Sequence, residues 1–203
     1  MMTFSLSKPR RRGFISGALA AAMLAASPAL ALNDRQAEAL VSKLVSEINA
    51  VIASGKSEGA MIRDFEGIFA RYGDVPAIAR SALGPTARSL NAADLRSYTS
   101  AFAGYISRKY GKRFREFIGG RIEVNGARPA GRFFEVSTTA FLRGENPFEV
   151  TFIVSDRTGE DLFVNMLIEG VNMLATERVE VTALLDRNRG NVAGLINDLQ
   201  RAG

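Results

Sequence analysis

The cysteine and histidine side chains that many enzymes use as nucleophiles, general bases and metal ligands are absent from this sequence of 203 residues. A Ser-His-Asp triad, a Cys-His pair and the usual zinc sites are therefore excluded. Enzyme chemistry would be left to carboxylates, tyrosines, a few lysines and hydroxyls. Six carboxylates are candidates for a catalytic pair: Asp64, Glu66, Glu123, Glu135, Glu149 and Glu169. No spacing among them fixes two around one substrate, and most lie on predicted polar faces. The sequence thus predicts no catalytic residue, no metal site and no cofactor.

Positive charge is concentrated in the run RKYGKRFR, residues 108–115. With aromatic residues between the cations, this run could contact a phosphate headgroup, an anionic membrane surface or an acidic partner. It could equally be a solvated helix face, whose cations are also favourable near a helix C-terminus. We expect Lys109, Lys112 and Arg113 to contact a headgroup or partner. Arg178 is a further candidate for such contact if it lies at the mouth of the fold; alternatively, it forms an ion pair with Glu169.

The stretch from Phe148 to Arg178 is the most apolar pattern after the N-terminal region. Two alternating runs, separated by the turn residues 156–159, predict a β-hairpin with one continuously apolar face. Its members are Phe148, Val150, Phe152, Val154, Leu162, Val164, Met166 and Ile168. Such a face must be covered by helices, or by helices together with a ligand.

The remaining elements follow from periodicity and from stop signals. Helical spacing predicts helices after Asn33, Ser57, Asp74 and Asn91, and the last of these continues to Gly119. Strands are predicted at residues 121–125 and 132–142, before the hairpin, and two further helices close the chain. The sequence predicts an α+β fold, in which N-terminal helices pack on a four-stranded antiparallel meander, with C-terminal helices.

The two apolar faces that meet in this fold are the candidate site. The helices contribute Phe65, Phe69, Ile78, Phe102, Tyr105, Ile106, Tyr110 and Phe117, and the sheet contributes Val136, Val150, Phe152, Val154, Leu162, Val164 and Met166, with Val171 beyond it. These residues could line a pocket or simply form the core. Periodicity alone favours the core, because apolar stripes are core more often than cavity lining.

The first 31 residues have the features of a secretory signal peptide. Three arginines, Arg10 to Arg12, precede an apolar run too short to span a membrane, and small residues fit cleavage before Leu32. The pair Arg11-Arg12 also fits twin-arginine export. Without the four positive residues of this segment, the formal net charge of +5 falls to +1. Nucleic-acid binding is therefore not indicated, and we expect one domain over residues 32–203 in a bacterial envelope.

Several short motifs, in order, resemble those of the MlaC family, also called the toluene-tolerance family. They are DVPAIAR at residues 74–80, Leu83-Gly84, the aromatic residues Phe102, Tyr105 and Tyr110, Glu169-Gly170-Val171, Arg178, and LINDL at residues 195–199. The resemblance covers nearly all of the chain after the signal peptide. It implies a monomeric carrier, not an enzyme, in the periplasm of a Gram-negative bacterium. Its partners would be a phospholipid, an outer-membrane lipoprotein complex and an inner-membrane ABC transporter with an MCE protein.

The resemblance also implies where the lipid lies: the acyl chains between the helix and sheet layers, which enclose an apolar pocket, and the headgroup at the solvent edge. Two chains of about sixteen carbons would cost roughly 25 kcal/mol to expose to water, which excludes free diffusion. Two alternatives stay open from the sequence. The cargo could be another envelope lipid such as a hopanoid, or the protein could be an envelope adaptor with a filled core.

Overall fold

The computed structural model describes residues 32–112 and 116–203. The predicted signal peptide and Arg113 lie outside these residues. The described chain begins with four helices, α1 (Asp34–Ala53), α2 (Glu58–Tyr72), α3 (Val75–Leu83) and α4 (Ala92–Gly111), with a 3-10 turn at Gly84–Arg88. Five strands follow: β1 (Arg121–Ala130), β2 (Phe133–Phe141), β3 (Phe148–Ser155), β4 (Leu162–Ile168) and β5 (Val171–Asn172). The last two elements are the helices α5 (Met173–Arg187) and α6 (Val192–Arg201).

Helix α1 shows how local sequence sets the start of a helix. The Asn33 side chain accepts from the Gln36 backbone N–H at 3.0 Å, and the Gln36 side chain accepts from the Asn33 N–H at 3.1 Å. This reciprocal capping satisfies two N–H groups that have no partner within the helix. One stripe of α1 is buried, at Ala37, Val41, Leu44, Val45, Ile48, Val51 and Ile52. Helix α1 therefore presents an apolar face to the sheet.

The sheet confirms the antiparallel meander and adds one short strand to it. Its order is β1-β2-β3-β4-β5, and each described strand pairs antiparallel with the next in sequence. Strand β1 is twice as long as predicted, because Asn125 and Gly126 form a bulge rather than a turn: Asn125 is the extra residue, and Gly126 has a φ of 148°. Helix α4 is shorter than predicted, since it ends at Gly111. The α+β fold class is confirmed.

A second bulge changes which side chains of β4 face the helices. Opposite β3, Asn165 pairs with Ile153 and Phe163 pairs with Val154, so Val164 is the extra residue. An inserted residue reverses the alternation on one side of the bulge. The expectation that Leu162 and Val164 share a face with Met166 is therefore wrong, and Phe163 takes that place.

Helix α1 packs on β1, β2 and β3, while α3 and α5 pack on β4; α4 packs on α2, α3 and α6. Two polar contacts tie the helical layer to the sheet at separate points. The Asn49 side chain of α1 exchanges two hydrogen bonds of 2.9 Å with the backbone of Ile122 on β1. At the start of α3, the Asp74 N–H donates to the Phe163 carbonyl of β4 at 2.9 Å. In residues 32–112 and 116–203, no helix combines the length and apolarity that a membrane crossing requires.

Candidate functional site: an apolar cavity between helices and sheet

An apolar cavity of about 320 Å³ lies between the helices and the sheet. Its wall is formed on the helix side by Leu44, Ile48, Phe65, Ile68, Phe69, Ile106 and Tyr110, on the sheet side by Ile122, Val150, Phe152, Phe163, Met166 and Ile168, and toward one end by Phe117, Leu142 and Phe148. Three glutamates complete the lining: Glu116, Glu145 and Glu169. The cavity thus has an almost wholly apolar wall.

Strand pairing explains the sheet side of the wall. Residues two apart on a strand share a face, so Phe148, Val150 and Phe152 all point toward the helices. On β4, Met166 lies opposite Phe152 and Ile168 opposite Val150. Directly paired side chains stand on the same face of an antiparallel sheet. The central part of the wall is therefore fixed by the register of β3 and β4.

Aromatic contacts join the two sides of the cavity at its inner end. The Phe69 ring of α2 lies 5.9 Å from the Phe163 ring of β4, which lies edge-on to Phe152 at 5.7 Å. Phe65 stacks on Phe69 at 6.5 Å. Such offset and edge-to-face pairs stabilise beyond the area they bury. This cluster connects the helix layer firmly to the sheet beside the cavity.

The opposite end of the cavity reaches solvent between three turns. Glu116 follows α4, Glu145 lies between β2 and β3, and Glu169 follows β4, and all three are exposed. Their carboxylates stay hydrated while the adjoining wall is apolar. An elongated apolar molecule with a polar end can be placed here with that end in water.

Eight of the sixteen predicted pocket residues line this cavity: Phe65, Phe69, Ile106, Tyr110, Phe117, Val150, Phe152 and Met166. Five others are packed in the core instead, namely Ile78, Phe102, Tyr105, Val136 and Val154. Among these, Phe102, Val136 and Val154 are 0% exposed. The competing core interpretation therefore holds for part of the same apolar stripes.

The last three predicted pocket residues face elsewhere. Because of the β4 bulge, Val164 lines a depression on the other face of the sheet, together with Ile153 and Leu174. Leu162 lines a separate depression beside Gly73 and Pro76. Val171 is 56% exposed at the start of β5. None of these three residues lines the cavity, and lipid contact by them stays a prediction.

Sequence reasoning missed the contributions of α1 and of the first two strands. Leu44 and Ile48 belong to the buried stripe of α1, which has the ordinary amphipathic pattern of any surface helix. Ile122 on β1 and Leu142 after β2 also line the cavity. The apolar spacing of α1 was the available signal, but it did not distinguish a helix over a cavity from a helix over a filled core.

Of the predicted cationic residues, Lys109, Lys112 and Arg178 are described, and none of these three lines the cavity. Lys112 donates to the Gly203 carbonyl, and Arg178 donates to the Ser81 carbonyl at 2.6 and 2.8 Å rather than pairing with Glu169. Lys109 Nζ contacts Glu177 at 2.8 Å and Glu180 at 2.7 Å. Contact of these residues with a headgroup or with a partner protein stays a prediction.

Lys109 belongs to a partly buried polar cluster between α4 and α5. Glu177 is only 3% exposed, and its Oε1 accepts from Lys109 and from the Tyr110 hydroxyl at 2.6 Å. Glu180 Oε2 accepts from the Tyr105 hydroxyl at 2.6 Å. Burial, together with the hydrogen bond to Glu180, raises the pKa of Tyr105. For Glu180, burial acts to raise the pKa, but hydrogen bonds from Lys109 and Tyr105 lower it overall.

No group of three or more acidic side chains within the described residues could hold a metal ion. The carboxylates weighed as a catalytic pair are also dispersed. Glu123 pairs with Arg121 and Glu135 with Arg128 on the sheet, while Asp64 pairs with Lys56 on the helix side.

The fold and the cavity define a class: small α+β proteins that hold an open apolar cavity between a helix layer and an antiparallel sheet. The model of the MlaC protein family matches residues 38–201, and the chain belongs to this family. A solved structure with the same fold is that of a phospholipid-binding protein from Ralstonia solanacearum in complex with a phospholipid. It is 17% identical, with a TM-score of 0.70, over 81% of this chain and 95% of that chain. No curated protein matches the chain.

Proposed function

We propose that this protein is a periplasmic phospholipid-binding shuttle, which carries lipid between the outer-membrane and inner-membrane complexes of an Mla-type ABC transport system. The observation that carries the proposal is the apolar cavity, which is closed by aromatic residues at one end and opens between three exposed glutamates at the other. Membership of the MlaC family and the phospholipid complex of a protein with the same fold support this choice of cargo.

The energetics of lipid in water explain why such a protein needs the cavity. Each methylene group moved from a bilayer into water costs about 0.8 kcal/mol, so a cargo with some thirty methylenes must stay in an apolar surrounding. An interior similar to the bilayer removes most of this cost. Affinity much greater than that of the bilayer would prevent delivery. Binding without covalent chemistry is sufficient for this function, and we propose no enzymatic step.

The size of the cavity implies that the two layers separate further when the cargo enters. A methylene group needs about the same volume as a water molecule in the liquid, roughly 30 Å³. The cavity of about 320 Å³ therefore holds about ten carbons, a third of two acyl chains. We propose that contact with a membrane complex widens the mouth between the turns that carry Glu116, Glu145 and Glu169.

The remaining parts of the proposal concern location and partners. Residues 1–31 would direct export and be removed, and residues 32–203 would form a single lipid-binding domain in the periplasm of a Gram-negative bacterium. The domain would act as a monomer that meets an outer-membrane lipoprotein complex and an inner-membrane MCE/ABC transporter complex in turn. The predicted contact residues Lys109, Lys112, Arg113 and Arg178 are candidates for these contacts.

Native mass spectrometry of the mature protein, purified without detergent and followed by lipid extraction, tests the proposal. An added mass of phospholipid size at a defined stoichiometry is expected. A hopanoid-sized mass would move the proposal to another envelope lipid. A clean apo mass that persists after incubation with phospholipid vesicles would refute the carrier function and favour an envelope adaptor.

A further inference from the structure

Tyr110 connects the cavity wall to a helix that lies outside the wall. Its ring lines the cavity, while its hydroxyl donates to Glu177 Oε1 at 2.6 Å. Glu177 belongs to α5, and none of the described residues that line the cavity comes from that helix. The position of the Tyr110 ring therefore depends on a hydrogen bond to α5, a helix that does not line the cavity.

Glu177 is held in place by a second charged contact. Lys109 Nζ lies 2.8 Å from Glu177 Oε1 and 2.7 Å from Glu180 Oε2, and it also donates to the Tyr105 hydroxyl at 3.1 Å. The Glu177 side chain is 4% exposed and that of Lys109 is 27% exposed. A buried carboxylate is costly unless it is paired and hydrogen-bonded, so these partners restrict its orientation strongly.

The restriction extends to the tyrosine ring. A tyrosine ring whose hydroxyl donates a hydrogen bond to a fixed carboxylate cannot leave its position without breaking that charge-assisted hydrogen bond. The rings of Phe69 and Phe163 at the inner end contact other rings and have no polar atom, so no hydrogen bond fixes the rings themselves. Tyr110 thus forms a comparatively rigid section of the wall, on the α4 side of the cavity.

We infer that Glu177 is a positioning residue for cargo retention: by holding the Tyr110 ring on the wall, it slows the escape of the lipid. The inference rests on the proposed function and adds the residue that regulates release. The hydroxyl of Tyr110 itself need not touch the lipid, because it is directed away from the cavity to α5. Loss of this hydrogen bond frees the ring to move and lowers the barrier to exchange.

The test is the rate at which loaded protein transfers phospholipid to acceptor vesicles of phosphatidylethanolamine and phosphatidylglycerol. Tyr110→Phe keeps the ring and removes only the hydroxyl, and we expect transfer about tenfold faster, as for loss of a hydrogen bond to a charged group. The matched control is Tyr72→Phe. Tyr72 donates to Glu47 at 2.7 Å but is not among the cavity-lining residues, so its transfer rate should equal that of the wild type.

A further pair of variants separates positioning from simple destabilisation. Glu177→Gln keeps a carbonyl oxygen that can accept from Tyr110, whereas Glu177→Leu keeps none. We expect Glu177→Gln to transfer lipid more slowly than Glu177→Leu, even where the two have equal thermal stability. Equal transfer by both, at equal stability, would overturn the inference.

A measurement on the wild type does not depend on any variant folding. The chain has four tyrosines and no tryptophan, so selectively labelled tyrosine gives a simple NMR spectrum. We expect a single fixed χ1 rotamer for Tyr110 in the loaded protein, because the hydrogen bond to Glu177 holds the hydroxyl in place, and averaging over χ1 rotamers for an unanchored ring. Averaging over χ1 rotamers at Tyr110, or transfer by Tyr110→Phe at the wild-type rate, would refute the inference alone. A wild type that carries no lipid would refute the proposed function and this inference with it.

Discussion

Replacing Val150 with tryptophan should fill the cavity without dismantling the protein. Val150 lies in the middle of β3 and its side chain lines the cavity, opposite Ile168 of β4. The indole group adds the volume of about three water molecules, roughly 90 Å³. This is more than a quarter of the cavity of about 320 Å³. The variant should therefore compete directly with the acyl chains for space.

The expected loss of affinity follows from the methylene groups that are displaced. About three methylenes lose their apolar surroundings at about 0.8 kcal/mol each, which gives roughly 2.5 kcal/mol, or about 60-fold weaker lipid binding. The cost to folding should be smaller than in a filled core, where overpacking typically costs about 1 to 3 kcal/mol. Because the added ring occupies existing space, we expect the thermal midpoint to fall only slightly.

The assay is loading from phospholipid vesicles, quantified by native mass spectrometry, with thermal unfolding measured on the same samples. Val164→Trp is the matched control, because the β4 bulge directs Val164 to the other face of the sheet. It should load lipid as the wild type does. If Val150→Trp folds and loads normally, or if Val164→Trp loses lipid equally, the assignment of the cargo to this cavity is refuted.

Three further predictions concern stability. Gly73→Ala should destabilise by about 1 to 3 kcal/mol, because a Cβ there would lie 2.9 Å from the Phe163 ring; an unchanged urea midpoint would contradict this packing. A hydrogen bond from Tyr72 lowers the pKa of Glu47 below its ordinary value of 4.5. The ionised Glu47 side chain therefore contributes stability above pH 4.5, and this contribution is lost as the pH falls below 4.5. On acidification, the thermal midpoint of Glu47→Gln should therefore fall less than that of the wild type. Parallel curves of thermal midpoint against pH would disprove the linkage. Burial raises the pKa of Tyr98 above 10.0, so the unfolded chain ionises first as the pH rises and stability declines above about pH 10. Tyr98→Phe should weaken that decline in urea titrations, and an identical alkaline profile would exclude Tyr98 as its source.

The part of the fold that depends on local sequence could be predicted well. Caps such as Asn33 and Asn91 mark helix starts, because their side chains bond to N–H groups only two or three residues away. Alternation in β3 likewise predicted the wall residues Val150 and Phe152, because a strand without a bulge keeps its period of two. The length of β1 was missed, since Asn125-Gly126 fits a turn as well as a bulge.

The candidate site could be predicted only as a set of faces. Phe102 and Tyr110 lie on the same apolar stripe of α4, yet Phe102 is 0% exposed in the core and Tyr110 lines the cavity. Periodicity reports which face of a helix is turned inward, but not whether protein or open space lies opposite. The same limit explains why Leu44 on α1 was not recognised as a wall residue.

The sequence by itself determined the chemistry that this protein lacks and the elements it forms, because composition and short-range patterns are properties of the chain alone. Only the tertiary structure decided that Val164 leaves the cavity face, since a bulge depends on how β4 pairs with β3. It also decided that Lys109 is held by Glu177, which lies 68 residues further along the chain. Contacts at such separation arise when packing brings α4 and α5 together, and no local pattern encodes them.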